Sequence, residues 1–286
     1  MKKIIRRRQP NRSFSGDIGV YIILIIAGAF MILPLLLVVS NAFKPMDELM
    51  KFPQEFIVHH PTLKNFADLF GFLGQSWVPF SRYLFNTLFI TVVATLGQLI
   101  IGSMGGYVLA KYDFPGSKKI FNLIVTALMF NGYVITIPVY LIVVKLNWVD
   151  TYLAPIIPFF ASTLGIFLMK QFMEGIPDSL LEAAKIDGAK EWGIFTKIVM
   201  PNVKPAWLTC IIMSVQANWG NPHATYLYSE ELKTLPYALS QVAAGGIARR
   251  GAAAAVQLVM MIVPIGVFIF SQSNILETMA NSGIKD

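Results

Sequence analysis

Apolar residues along this chain gather into six long blocks, at 18–39, 83–110, 120–144, 153–169, 206–220 and 252–270. The charged residues fall almost wholly between them. Blocks of this length predict helices that cross a bilayer, because a hydrocarbon core of ~30 Å takes about 20 apolar residues at helical rise. A helix also satisfies its own backbone groups where no water can. The fifth block is short for that task unless residues 202–205 or 221–222 extend it. Pro34 in the first block is tolerable, since neighbouring helices can satisfy the carbonyl it frees. In the second block Gly102, Gly106 and Ala110 recur every fourth residue, with Gly105 beside them. Such a strip predicts a close helix contact, because lipid gives helices no hydrophobic drive to pair and small residues let backbones approach. The expected fold class is an all-α membrane protein with six transmembrane helices.

The connections carry their own signals. Residues 41–82 hold Pro45, Pro53, Pro61 and Pro79 among mixed charges and aromatics, which predicts short helices and turns against the membrane face. The other long connection, 221–251, includes a stretch at 234–242 with Leu235, Leu239 and Val242 on one side of a short amphipathic helix.

Composition agrees with a membrane protein: 55% of residues are hydrophobic and only 14% charged. A net charge of +7 could suit nucleic acid, but the Lys and Arg residues cluster just outside the apolar blocks and so write membrane topology instead. Lys2, Lys3, Arg6, Arg7, Arg8 and Arg12 form a basic arm expected in the cytoplasm. A cleaved signal peptide shows the same order, but its apolar region spans about 7–15 residues, so the first block reads as an uncleaved span. Six spans then put both termini in the cytoplasm. Arg249 and Arg250 depart from the charge rule just before the last block; snorkelling to head groups is the favoured reading over a place on the substrate route or against a partner. The single cysteine, Cys210, lies in an apolar block and reads as a small core residue. His59-His60 has no third ligand nearby, so no metal site is expected.

The charged stretch 174–205 is the most informative part of the chain. Pro177 fits the first helical position and Gly188 a left-handed stop, with a helix of about three turns between them. On a helical wheel Asp178, Glu182 and Lys185 share one side; Leu180, Leu181, Ala184 and Gly188 share the other, with Ala183 at its margin. Asp187 points into the small-residue side at the negative end of the helix dipole, where an acid is disfavoured unless a cation from elsewhere meets it. Met200-Pro201 ends a second short helix, and Pro205 opens the next apolar block. The stretch reads as a two-helix hairpin shaped to lie in another protein's groove.

Glu182-Ala183-Ala184, three residues, Gly188, nine residues, Ile198, one residue and Met200-Pro201 resembles the EAA loop of permease subunits in binding-protein-dependent ABC importers. Met200 stands where that family usually has Leu, a mild apolar exchange. Ala42-Phe43-Lys44-Pro45 with Glu48-Leu49, the run 61–66 and the run 107–116 are also similar to these permeases. Taken along nearly the whole chain, the resemblance is to the second permease subunit of a carbohydrate importer of the maltose type. It implies a type I importer architecture, with residues 1–82 forming the arm, first span and external segment, and 83–286 the transmembrane core. It also implies that the hairpin is a coupling helix docked on an ATP-hydrolysing subunit through Leu180, Glu182, Ala183, Ala184, Asp187, Gly188, Ile198 and Pro201. The implied partners are a paralogous permease, an ABC ATPase dimer that holds the ATP and Mg so that this chain binds no cofactor, and an extracytoplasmic solute-binding protein. Two stretches depart from the pattern: Asn218-Trp219-Gly220-Asn221-Pro222, where relatives often have Trp-Asn followed by an acid or aromatic, and the tail 278–286.

The absent motifs fit this reading. No Gly-x-x-x-x-Gly-Lys-Ser/Thr, His-Glu-x-x-His or Gly-x-Ser-x-Gly sequence occurs. Charged residues are nearly absent from the apolar blocks, which argues against an ion-coupled pump built on intramembrane carboxylates. A sugar path would be lined by neutral polar and aromatic groups, and Asn131, Tyr133, Gln216, Asn218 and Trp219 are the candidates. Their other reading is interhelical hydrogen bonding and interface anchoring. An importer of peptides, amino acids or ions shares the same loop, and a stand-alone secondary transporter is the remote alternative.

Overall fold

The computed structural model describes residues 14–74, 77–130 and 132–282, and among these it is helical with no strand. The chain opens with α1 (Phe14–Phe43), α2 (Met46–Leu49), α3 (Lys64–Gly74) and α4 (Phe80–Lys111). Then come α5 (Ser117–Ala127), α6 (Gly132–Lys145), α7 (Leu153–Phe160) and α8 (Thr163–Glu174). The charged hairpin supplies α9 (Asp178–Ile186), α10 (Glu191–Ile194), a π-helical turn at Phe195–Val199 and α11 (Met200–Asn202). The last elements are α12 (Lys204–Trp219), α13 (Leu235–Ala243) and α14 (Arg250–Ser282).

Among the described residues four helical segments are long and apolar enough to cross a bilayer: Gly16–Phe43, Phe80–Lys111, Leu153–Glu174 and Ile247–Gln272. A fifth is possible if Glu191–Asn202 and Lys204–Trp219, bent by 78° at Val203, are taken as one span. The third apolar block does not form the single helix expected of it. α5 ends at Ala127, and short three-residue bonds follow, from Met129 N–H to Thr126 O (3.0 Å) and Phe130 N–H to Ala127 O (3.2 Å). The chain restarts as helix at Gly132, and Pro138 lies inside α6. Asn and Gly are poor helix formers, so a block apolar on average carries a local turn signal that the average hides.

α4 is the central helix, packed against α7, α8, α12 and α13, while α14 packs on α1, α3, α12 and α13. The small-residue strip is the reason α4 and α8 approach so closely. A Cβ at Gly106 would lie 2.8 Å from the Met169 Cβ and 3.0 Å from the Lys170 nitrogen, and one at Gly102 would lie 3.6 Å from the Gly165 carbonyl carbon. Gly97, one turn earlier, admits the Phe160 ring. α13 covers α4 and α14 with Leu235, Leu239 and Val242, all buried, as the amphipathic pattern predicts.

The 41–82 connection is ordered through buried polar groups. The Lys44 ammonium donates to Asn41 Oδ1 (3.1 Å) and to the Glu55 carbonyl. Buried Glu48 accepts the backbone N–H groups of His59 (3.1 Å) and His60 (2.8 Å). Asn65 donates to the carbonyls of Ala42 (3.0 Å) and Lys44 (2.7 Å). Each of these turns has its own hydrogen-bond partners in place of a regular helix.

Candidate coupling site

The hairpin begins one residue later than the proline signal suggests. Pro177 is extended (φ −61°, ψ 133°) and caps α9, so Asp178 is the first helical residue. The C-terminal stop is as expected: Gly188 has φ +83°, its N–H reaches Lys185 O (3.0 Å), and Ala189 N–H reaches Ala184 O (2.9 Å). This six-to-one closure needs a left-handed residue, which glycine adopts without a Cβ clash. A Cβ at Gly188 would meet nothing within 4 Å, so the glycine serves the turn and leaves open space over it.

The two sides of α9 divide differently from the helical wheel. Leu181 is 6% exposed and joins Met169, Met173, Ile176 and Ile194 in a core cluster, with Ala184 at its edge. Leu180, expected beside them, is 43% exposed. Glu182, Ala183, Asp187 and Gly188 are also exposed, and Ile186 projects outward at 87%. The helix is too short for a wheel to fix its rotation; Leu181 decides it by burial. In the second half of the hairpin Ile198 packs at the margin of the same cluster and Pro201 is exposed. Asp187 sits at the C-cap, and no described residue of this chain forms an ion pair with it.

Two clamps tie the hairpin to the end of α4. At one, Lys111 Nζ donates to the Ile176 carbonyl (2.5 Å) and to Asp178 Oδ1 (2.7 Å). At the other, Glu191 bonds Lys185 Nζ (2.8 Å) and accepts from Tyr112 (2.5 Å) and Tyr107 (3.3 Å). The hydrogen bond from Lys185, then that from Tyr112, holds the Glu191 carboxyl below its ordinary value against the opposing effect of burial. The same bond to Glu191 raises Lys185. Burial, followed by its bond to the Glu191 carboxylate, pushes the Tyr112 phenol up. The Tyr107 ring lies 5.4 Å from Phe195 and 5.7 Å from Tyr112, so the clamp is packed as well as charged. Displacing α9 therefore pulls on α4 from both ends of the short helix.

Residues 101–279 match the family described as the inner membrane component of binding-protein-dependent transport systems. The chain is 32% identical to the arabinooligosaccharides transport system permease protein AraQ of Halalkalibacterium halodurans, with 98% of this chain and 99% of that one covered. The chain belongs to this permease family. AraQ of Bacillus subtilis is 33% identical over 73% of this chain and 74% of its own length. In fold, the permease is similar to a chain in the crystal structure of a bacterial ABC transporter involved in the import of the acidic polysaccharide alginate. That match has a TM-score of 0.74 at 23% identity and covers 93% of this chain and 99% of the other. The permease is thus a multi-pass inner membrane protein of the type I ABC importer fold.

The residues expected to line a path are scattered. Asn131 lies outside the described residues, as does the side chain of Tyr133. Gln216 is exposed on α12. Asn218 is buried, donating to Ser214 O (3.0 Å), with its Oδ1 unpaired. Trp219 is buried, and its indole N–H donates to Met260 O in α14 (3.0 Å). Sequence reasoning missed two groups in this permease. Ile186 and Glu191 sit in the hairpin, and their exposure and bonding depend on which way α9 rotates. The other group is a polar track on α4: Thr87, Thr91, Thr95 and Gln98 are all buried and follow one another at three- and four-residue spacing on one helix face. That spacing is present in the sequence, but threonines at this interval on an apolar helix can also bond their own backbone and face lipid, so the spacing alone does not mark a buried face.

Proposed function

We propose that this permease is one of two membrane subunits of an ATP-driven importer that carries sugars or oligosaccharides into the cytoplasm, coupled to a separate ATPase through α9. Similarity along nearly the full length to a permease named for arabinooligosaccharide transport carries the substrate class. The hairpin supports the coupling role: Ile186, Leu180, Ala183 and Gly188 offer an apolar, open surface, while Leu181, Lys111 and Glu191 anchor the other side in this chain. Glu182 and Asp187 are the polar contacts to the ATPase, and Ile198 and Pro201 hold the second arm in place. ATP and Mg bind the ATPase pair, not this chain. A paralogous permease completes the pathway, α5 with α6 makes the sixth crossing, and both termini face the cytoplasm. A binding protein delivers the solute from outside. Nucleotide-driven closure of the ATPase pair moves the hairpins of both permeases, and the clamps at Lys111 and Glu191 pass that movement to α4.

The test is uptake by the assembled transporter in proteoliposomes, with oligosaccharides and peptides as competitors. Competition by oligosaccharides alone supports the reading. Uptake blocked by peptides, or uptake by this chain without an ATPase, would sink it.

A further inference from the structure

The polar track of α4 ends at a cavity of about 170 Å³ between α4, the α7–α8 break and α12. Gln98, Phe159, Ser162, Gly165, Met213 and Ser214 are among the residues that line it. This volume far exceeds the ~10–15 Å³ that holds one water on this measure. Its chemistry is that of a site left open for a hydrogen-bonding guest. Gln98 is 6% exposed, yet its Oε1 has no hydrogen-bond partner. A buried amide oxygen left unpaired in a low-dielectric interior is costly and calls for an explanation. Ser162 Oγ accepts the Gly165 N–H (3.2 Å), which leaves its own proton to donate. Ser214 and Thr95 share one hydrogen bond of 2.9 Å, so one of the two hydroxyl protons is also spare. Phe159 adds an apolar ring.

The α12 wall of the cavity is Met213 and Ala217, both on the exposed side of that helix, next to Gln216. Gln216 would be poorly placed against lipid but is well placed beside an aqueous path. The cavity lining contains no charged side chain. It therefore suits a neutral solute with many hydroxyls, each able to donate and accept, and with C–H faces to lie on a ring.

We infer that this cavity is a transit subsite for one sugar unit, with Gln98 the specificity-determining residue whose side-chain amide hydrogen-bonds a substrate hydroxyl and Ser162 and Ser214 the hydroxyls beside it. This rests on the carbohydrate reading above. A guest hydroxyl there meets the Gln98 amide, which stands at the end of the buried polar track on α4. Gly165 keeps the site open, because a Cβ there would stand 3.3 Å from both Gln98 Nε2 and Ser162 Oγ.

The experiment uses the complete transporter in proteoliposomes, with Gln98→Leu and a pair of oligosaccharides that differ by one hydroxyl. Loss of one hydrogen bond to the substrate predicts a rise in KM of up to ~10-fold for the sugar that has the hydroxyl and little change for the one that lacks it. An equal loss for both sugars, or no change in either, overturns the assignment. If Gln98→Leu does not assemble, Met213→Cys in a Cys210→Ser background gives a second readout. Its labelling by a small thiol reagent should be slowed by substrate during turnover; labelling that ignores substrate, or no labelling at all, overturns it. Wild-type transporter that imports no carbohydrate removes the functional reading itself, whereas normal wild-type uptake with unaffected variants removes only the subsite.

Discussion

The indole N–H of Trp219 points 3.0 Å from the carbonyl of Met260, the group that Pro264 leaves without a partner four residues on in α14. A proline has no N–H to return to that carbonyl, and in lipid no water can replace it. α12 supplies the missing donor and is bonded to α14 by the same contact. Trp219→Phe should therefore cost about 1–3 kcal/mol, the range for a buried carbonyl left unsatisfied. Thermal unfolding in detergent would measure it. In a Pro264→Ala background the helix regains its own donor, so the same substitution should cost much less. Equal costs in the two backgrounds would rule out the link.

Gly188→Val should place a branched side chain at φ +83°, where the left-handed backbone costs roughly 1–2 kcal/mol. No described residue crowds the site, so the fold should survive and the α9 closure and its exposed surface should change. We expect membrane insertion to be retained and uptake to be lost relative to ATP hydrolysis, read as a fall in solute moved per ATP. Unchanged transport stoichiometry would count against docking at this turn.

Ile186→Asp tests the same surface without touching the backbone. At 87% exposure the side chain contributes nothing to this chain's core, so stability should change by less than ~0.5 kcal/mol. Recovery of the ATPase with the permease on affinity purification should fall sharply. A variant that still co-purifies would show that α9 is not the contact.

The Lys185–Glu191 clamp has a defined pH window. Glu191 is depressed from its ordinary value of 4.5, so its share of the clamp is complete above that value and is lost as pH falls through the lower folded value. Lys185 is raised from 10.5, so its share is complete below 10.5 and is lost as pH rises beyond it. Protection of the Gly188 and Ala189 amides from hydrogen exchange, taken relative to an unstructured chain at the same pH, should hold between those limits and decline below pH 4.5. Glu191→Gln should show the same lowered protection already at neutral pH. Identical exchange in the variant would remove Glu191 from the clamp.

Gly106→Leu should disrupt the α4–α8 contact, since even a Cβ would approach Met169 to 2.8 Å. Overpacking of this kind costs roughly 1–3 kcal/mol. The melting temperature in detergent should fall, and Gly71→Ala, whose Cβ meets nothing within 4 Å, is the control expected to leave it nearly unchanged.

Much of this was legible from local chemistry alone. Gly188 announces a left-handed stop because few other residues accept that backbone, and Gly102 and Gly106 announce a helix contact because only missing side chains allow it. The hairpin's spacing also carried its family resemblance. Other features were not legible. A wheel put Leu180 and Leu181 on one side, but only the cluster around Met173 and Ile194 chose Leu181 for burial. The break of the third apolar block near Gly132 was masked by its average hydropathy.

The sequence by itself determined that the chain crosses a membrane, where its blocks of apolar residues lie and where its charged hairpin starts and stops. These are matters of composition and of backbone chemistry within a few residues. Tertiary structure alone decided that Glu191 meets Tyr107 and Tyr112, that Trp219 satisfies the carbonyl freed by Pro264, and that the Gln98 side chain lines a cavity between three helices. The reason is physical: a hydrogen bond between distant segments depends on the rotation and crossing of packed helices, which no local stretch of residues encodes.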